Sequence, residues 1–134
     1  MNVLQTEWWA IGIPPEWWAE REEDSILIGD RDDVGCIEIS TLCRDQGDFS
    51  RAEIEDIASA NGEPGWAWES ASLGSFGGVS CSYEEEGDAV REWYLAQGPV
   101  MLFITYSCAV ENRELDEAAV NEILQTLVFS PTTS

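Results

Sequence analysis

The sequence predicts an α+β fold in which an antiparallel β-sheet packs against two main helices. Most of the chain consists of short apolar segments that are separated by turn residues. In many of these segments apolar and polar residues alternate, and this pattern is typical of strands. Residues 51–60 and 114–128 instead repeat apolar side chains at helical spacing. Separate runs of strands and helices favour an α+β architecture. The length of 134 residues predicts a single domain, 1–134.

Seven segments alternate apolar and polar residues, or are apolar on both sides, and are predicted as strands. They are residues 8–13, 25–29, 34–42, 66–73, 76–84, 88–97 and 99–109. The first ends at Pro14 and Pro15, because consecutive prolines cannot donate to a sheet ladder. Residues 16–24 are predicted as a turn or one frayed helical turn. Residues 99–109 are apolar on both sides, which predicts a central strand that is covered on both faces.

Both predicted helices carry local start signals. Ser50 precedes the first helix, and Glu53 lies three residues later, which is the spacing of a capping box. The second helix begins with acidic residues, which the positive end of the helix dipole favours. Its predicted apolar stripe consists of Leu115, Ala119, Ile123 and Leu127, widened by Val120, Leu124 and Val128.

Three short motifs accompany this order of elements. They are W-x-I-x-I-P-x-x-W at 9–17, G-x-I-x-I-S at 35–40 and I-L-x-T-L at 123–127. With them the chain resembles, over about its whole length, the Mog1/PsbP-like group. That group includes small bacterial DcrB-like domains and the chaperones that load type VI secretion effectors. The resemblance implies an α+β sandwich and a binding or accessory role, and it assigns no functional residue to this sequence.

The charge of the chain restricts its partners. Six basic residues, all arginine, stand against 27 acidic ones, for a net charge of −21. Such a surface repels nucleic acid and anionic membranes, so neither is a predicted partner. The longest mostly apolar stretch, 98–106, is far shorter than the roughly 20 residues of a spanning helix, and the N-terminus lacks the features of a signal peptide. A cytoplasmic location is therefore expected, with reduced cysteines.

The residue types also restrict the chemistry. The chain has no histidine and no lysine, which excludes Ser-His and Cys-His pairs and lysine bases. Residues 30–35 begin like a calcium loop, but Val34 stands at the fifth position and Thr41 at the twelfth. No C-x-x-C pair occurs among the cysteines, so they are predicted as thiols rather than zinc ligands: Cys36, Cys43, Cys81 and Cys108. We therefore predict no enzyme activity, no metal and no cofactor.

Seven tryptophans are a large number for a chain of this length. Neighbouring residues of a strand face opposite sides, so Trp8 and Trp9 cannot both enter one core. One interpretation is a large aromatic core, and the other is a concave aromatic face that grips an apolar peptide or ligand. Trp93 is expected across the sheet from Trp66 and Trp68. The candidate binding residues are Trp8, Trp17, Trp18, Trp66, Trp68 and Trp93.

The leading functional hypothesis is a non-enzymatic acidic protein-binding module, such as an adaptor, a chaperone-like protein or an immunity-like accessory protein. Its partner is expected to be another protein that is basic or carries an exposed apolar segment. The alternative is a domain that binds a small apolar ligand in a tryptophan-lined pocket. A third hypothesis is that the acidity serves solubility in a high-salt habitat.

Overall fold

The computed structural model describes residues 2–23, 25–30, 34–62, 67–115 and 117–129. The strands are β1 (Asn2–Gln5), β2 (Trp9–Ile13), β3 (Trp17–Arg21), β4 (Ser25–Asp30), β5 (Gly35–Cys43), β6 (Glu69–Leu73), β7 (Phe76–Glu85), β8 (Asp88–Gln97), β9 (Val100–Ala109) and β10 (Val128–Phe129). The helices are α1 (Arg51–Asn61) and α2 (Glu117–Gln125), and a 3₁₀ turn spans Val110–Asn112. This is an α+β fold, mostly antiparallel sheet with two helices, as predicted.

The strands form one large and one small antiparallel sheet. The large sheet has the order β3-β4-β5-β9-β8-β7-β6, and the small sheet has the order β1-β2-β10. Strand β9 is therefore central, and consecutive residues Met101 and Leu102 are both buried, one toward each face. The prediction of a central strand covered on both faces is confirmed for this part of β9.

The first face of the large sheet carries the main core. The small sheet and α2 pack on it, and their buried apolar residues join those of β4, β5, β8 and β9 in one cluster. Strand β2 contributes Trp9, Ile11 and Ile13 to this cluster. Helix α2 and the residues just after it contribute Val120, Ile123, Leu124 and Leu127. Burial of these side chains is the largest favourable contribution to folding.

The second face carries a smaller core under α1. Ile54 and Ala58 of the helix pack against Val79, Tyr94 and Met101 of β7, β8 and β9. The predicted capping box is present, because the Ser50 hydroxyl accepts from the Glu53 amide and the Glu53 carboxylate accepts from the Ser50 amide. Sequence-local signals thus fix where α1 begins.

The interpretation of residues 16–24 as a turn or helical turn is wrong. Residues Trp17–Arg21 form strand β3 and pair with β4 over its whole length. Tryptophan favours the pleated surface of a sheet, and Trp17 packs against the main core. The pairing partner therefore decides the conformation of this polar stretch.

The second helix is shorter than predicted. It ends at Gln125, because the Thr126 hydroxyl donates to the carbonyl of Ile123 and accepts from the amide of Gly12 in β2. The chain then forms β10, which pairs with β2. Leu115, which the predicted stripe includes, lies before the helix and is 67% exposed, and Val128 is exposed within β10. The first strand, β1, was not predicted.

The capping carboxylate of Glu53 predicts a pH dependence of stability. Its hydrogen bond with the Arg44 guanidinium, followed by that from the Ser50 amide, lowers its pKa from 4.5 to about 2. A carboxyl whose pKa is lower in the folded state stabilises the protein above the unfolded pKa, and this is lost as pH falls. The unfolding free-energy difference between wild type and Glu53→Gln should thus be largest above pH 4.5 and shrink toward pH 2.

Urea titrations at a series of pH values would measure this difference. Glu55→Gln is the matched control, because Glu55 is also on α1 but lies 3.8 Å from Arg51 in an exposed pair. Its difference from wild type should be small at every pH. A Glu53→Gln difference that does not vary with pH would contradict the assigned role of the carboxylate.

Candidate binding face

Six neighbouring strands of the large sheet, from β3 to β7 in sheet order, pair without a break, so their side chains form rows on its second face. Opposed residues of antiparallel strands point to the same side of a sheet. One row across the sheet consists of Trp18, Gly29, Cys36, Ser107, Val90 and Tyr83. The adjacent row consists of Glu20, Leu27, Glu38, Thr105, Glu92 and Cys81. We call these two rows the open face.

We call it open because helix α1 covers only part of the second face. Helix α1 lies over the neighbouring positions Val79, Tyr94 and Met101. In the described part of the chain, no helix packs on β3, β4 or β5 from this side. Glu20 and Glu38 are accordingly exposed, so this part of the sheet is accessible to a partner.

Trp18 is held flat on the open face. Its indole lies over Gly29, where a Cβ atom would come within 2.4 Å of the ring. The indole Nε1 donates to the carbonyl oxygen of Asp30 at 3.0 Å. The side chain is nevertheless 38% exposed. A fixed ring with one accessible side can contact a partner at little cost in side-chain entropy.

The charge of the open face is uniformly negative. Its ionised side chains are the carboxylates of Glu20, Glu38 and Glu92. Glu38 accepts a hydrogen bond from the Ser25 hydroxyl at 2.9 Å, and Glu92 accepts one from the Tyr83 hydroxyl. No arginine belongs to either row, so the open face carries acidic and apolar groups without a basic side chain of its own.

The Cys81 thiol and the Tyr83 hydroxyl of the open face stay neutral near pH 7. Burial, and then the Glu92 carboxylate, raise the pKa of the Cys81 thiol to about 11. The same two causes, with the Tyr83–Glu92 hydrogen bond, raise the pKa of Tyr83. A thiol protonated at neutral pH is a poor nucleophile. The open face therefore offers charge and contact area.

Three of the candidate tryptophans lie on the other side of the large sheet. Trp93 is buried in the main core, and Trp8 and Trp17 are half-buried against that core. Each joins the apolar layer between the large sheet, the small sheet and α2. These rings correspond to the aromatic core that the sequence also predicted.

The remaining candidates lie elsewhere. Trp68 is on the second face, edge-on to Tyr94 with ring centroids 5.6 Å apart, and Trp18 is on the open face. Trp66 lies outside the described residues. The expectation that Trp93 lies across from Trp68 is wrong, because Tyr94 and Trp93 are consecutive in β8 and face opposite sides. The described candidates thus do not form one continuous aromatic face.

The sequence reasoning missed the acidic residues of the open face. Glu38 and Glu92 are 54 positions apart in the chain, yet both flank Thr105 across β9. The available signal was the outward position of Glu38 between Ile37 and Ile39. That signal predicts which side of the strand Glu38 occupies. Whether Glu38 lies near Glu92 depends on which strands are neighbours in the sheet, and the signal does not predict that.

Neither a metal cluster nor a spanning helix is found among the described residues. No group of three or more potential ligands among Cys, Asp and Glu side chains could hold a metal ion there. Asp30, the first residue of the calcium-like loop, is buried and accepts from the Val34 amide at 2.9 Å. Residues 31–33 of that loop lie outside the described ranges. No described helix has the length and apolar character needed to cross a bilayer.

Comparison with known proteins identifies similar structures but no sequence relative. No protein-family model matches the chain, and no curated protein matches it. A protein from Bacteroides thetaiotaomicron has a TM-score of 0.66 at 17% identity, and the match covers 92% of this chain but 45% of that one. LpqN of Mycobacterium tuberculosis, which is described as involved in cell envelope biogenesis, has a TM-score of 0.62 at 18% identity, with 92% and 83% coverage.

These similarities concern the fold. The chain spans less than half of the Bacteroides protein and most of LpqN, and both identities are below one fifth. The α+β architecture is therefore one that solved proteins share over nearly the whole chain. A likeness of fold at these identities does not test the Mog1/PsbP-like resemblance, which stays a prediction.

Proposed function

We propose that this protein is a non-enzymatic binding module that holds a basic protein segment with apolar side chains against the open face. The observation that supports the proposal is the composition of that face. In one row carboxylates alternate with the uncharged side chains of Leu27, Thr105 and Cys81, and the other row supplies the apolar Trp18 and Val90. No basic side chain belongs to either row. A partner with the opposite charge and its own apolar residues is complementary to this pattern.

The two kinds of side chain have different roles in the proposed complex. The net charge of −21 accelerates encounter with a basic partner at low salt. Trp18 and Leu27 supply apolar contact area, and tryptophan is enriched among the residues that dominate binding energy. Glu20 and Glu38 then favour lysine or arginine at neighbouring positions of the partner and disfavour acidic proteins.

The Mog1/PsbP-like resemblance agrees with this proposal, because members of that group are mainly binding or accessory proteins. The structural similarity to LpqN extends to the fold at 18% identity. Envelope biogenesis is therefore a process to test rather than one that we assign.

Synthetic peptides with alternating residues provide a direct test. An Arg-Leu peptide should bind the wild-type protein, and its affinity should fall as ionic strength rises. Trp18→Ala should weaken binding by about tenfold or more, and Glu38→Gln by about threefold. Titration calorimetry would measure these affinities, and circular dichroism would confirm that each variant is folded.

Matched controls separate the open face from general charge attraction. Glu122→Gln removes the same charge from the exposed side of α2 and should leave the affinity near wild type. An Arg-Ser peptide should bind more weakly than the Arg-Leu peptide, and a Glu-Leu peptide should not bind. Equal effects of Glu38→Gln and Glu122→Gln, or no binding of the Arg-Leu peptide, would overturn the proposal.

A further inference from the structure

A cavity of about 440 Å³ lies beside the start of α2, at one end of the large sheet. Its volume is in the range of small-molecule sites, roughly 300–1,000 Å³. Two of its lining residues, Tyr83 and Val90, also belong to the open face. It differs from the tryptophan-lined pocket that the sequence predicted, because no tryptophan is among its described lining residues. The residues that matter for its chemistry are Ala89, Arg91, Tyr106, Cys108, Arg113 and Glu117.

Arg91 is the unusual residue of this cavity. Its guanidinium carbon lies 4.6 Å from the centre of the Trp93 ring, and its Nη2 donates to Oδ1 of Asn121 at 2.9 Å. Its Nη1 is buried and has no hydrogen-bond partner in the described structure. Buried donors are nearly always satisfied in folded proteins, so this atom requires an explanation.

The second arginine of the cavity, Arg113, differs from Arg91 because it has a carboxylate partner. Arg113 forms an ion pair with Glu84 at 2.6 Å. Arg91 forms no such pair with any described carboxylate, although acidic residues outnumber basic ones 27 to 6. The Glu117 carboxylate attracts Arg91 from beyond ion-pair distance and offsets only part of the cost of burying the guanidinium, whose pKa burial lowers. Glu117 therefore leaves the buried Nη1 without a hydrogen-bond acceptor, and a bound anion would supply one.

We infer that this cavity binds a small monocarboxylate with an apolar body, and that Arg91 holds its carboxylate. The planar guanidinium matches a carboxylate with two parallel hydrogen bonds. Ala89, Tyr106 and Cys108 line the cavity and provide contacts for the apolar body. Glu84, Glu114 and Glu117 also line it, and their negative charge disfavours a phosphate dianion more than a singly charged acid.

Binding requires a small movement of Arg91. Its Nη1 is shielded from solvent, so the flexible side chain must rotate for this atom to reach an incoming carboxylate. That rotation changes the stacking of the guanidinium on Trp93. A change in tryptophan fluorescence should therefore accompany occupancy, alongside the heat of binding.

The test uses 4-phenylbutyrate and octanoate as probes, with neutral 4-phenylbutanamide as the isosteric control. Calorimetry should show that both acids bind the wild-type protein and that the amide binds at least about tenfold more weakly. Arg91→Gln should lose about tenfold or more in affinity for the acids, and Arg91→Lys should lose less. Arg51→Gln is the matched control and should remain near wild type, since Arg51 lies on α1 in an exposed pair with Glu55 and is not among the residues that line the cavity.

The acid and amide comparison uses the wild-type protein and so does not depend on the folding of any variant. Equal affinity for acid and amide, no binding of either acid, or unchanged acid binding by Arg91→Gln would each overturn the inference. Inorganic phosphate that binds as tightly as the acids would overturn the preference for a monocarboxylate. Trp18→Ala should leave acid binding unchanged, so this outcome is separable from that of the open face.

Discussion

Gly74→Ala is expected to destabilise the protein by roughly 3 kcal/mol or more, since left-handed backbone costs about 1–2 kcal/mol and overpacking about 1–3 kcal/mol. Gly74 has a φ of +58°, in the turn between β6 and β7. A Cβ atom there would lie 1.6 Å from the Leu127 carbonyl oxygen, where the chain leaves α2. The atoms that this Cβ would meet belong to the backbone of Leu127, so the turn must move away from the end of α2. Urea denaturation would measure the loss.

Gly98→Ala is the matched control for this substitution. Gly98 has a φ of +59°, and the nearest described atom to a new Cβ there would be the Asp48 carboxylate oxygen, at 3.7 Å. This variant therefore carries the conformational cost without the collision, and should lose about 1–2 kcal/mol. Equal losses for the two variants would show that the close approach of the turn to Leu127 does not contribute to the loss in the free energy of unfolding.

Leu102→Ala is expected to destabilise the protein by about 2–5 kcal/mol, and Ile123→Ala by a similar amount. Both side chains are fully buried in the main core, one on β9 and the other on α2. Each truncation removes apolar contacts and leaves a cavity that the packed layers cannot close completely. Chemical denaturation with unchanged slope would assign the loss to stability.

Leu42→Ala is the control for the same chemical change on a neighbouring strand. Leu42 lies on β5 and is 53% exposed, so its truncation should alter the unfolding free energy by less than about 0.5 kcal/mol. Near-zero losses at both Leu102 and Ile123 would mean that the assigned inward faces of β9 and α2 are wrong.

Local signals predicted the elements whose determinants are close in sequence. Ser50 and Glu53 are three residues apart, and they define the start of α1 in both the sequence and the structure. The apolar residues on both sides of 99–109 indicate a central strand without knowledge of its neighbours. In each case the physical cause lies within one turn of helix or one strand.

Distant partners decide the elements that the sequence did not predict. The Thr126 hydroxyl ends α2 by bonding to Gly12, which is 114 positions earlier in the chain. A helical pattern through Val128 therefore gives way to β10. Strand β3 similarly depends on its pairing with β4, which the polar sequence of 16–24 does not indicate.

The candidate sites show the same limit. Trp18 is one of the tryptophans predicted from the sequence as candidate binding residues, and that prediction required only its residue type. Glu38 and Glu92 become neighbours of one surface only through the pairing of β5 and β8 with β9. Arg91 is ordinary as a strand residue, and its unpaired Nη1 is a property of three-dimensional packing.

The small sheet joins the two ends of the described chain, with β2 between β1 and β10. During synthesis the ribosome releases β2 before β10, and residues 128–129 emerge more than one hundred positions after β2. The hydrogen-bonding edge of β2 toward β10 must stay unpaired throughout that interval, which lasts several seconds at about 5–20 residues per second. A nascent chain thus exposes the apolar residues of β2 until β10 has emerged, which favours binding by chaperones that recognise such segments.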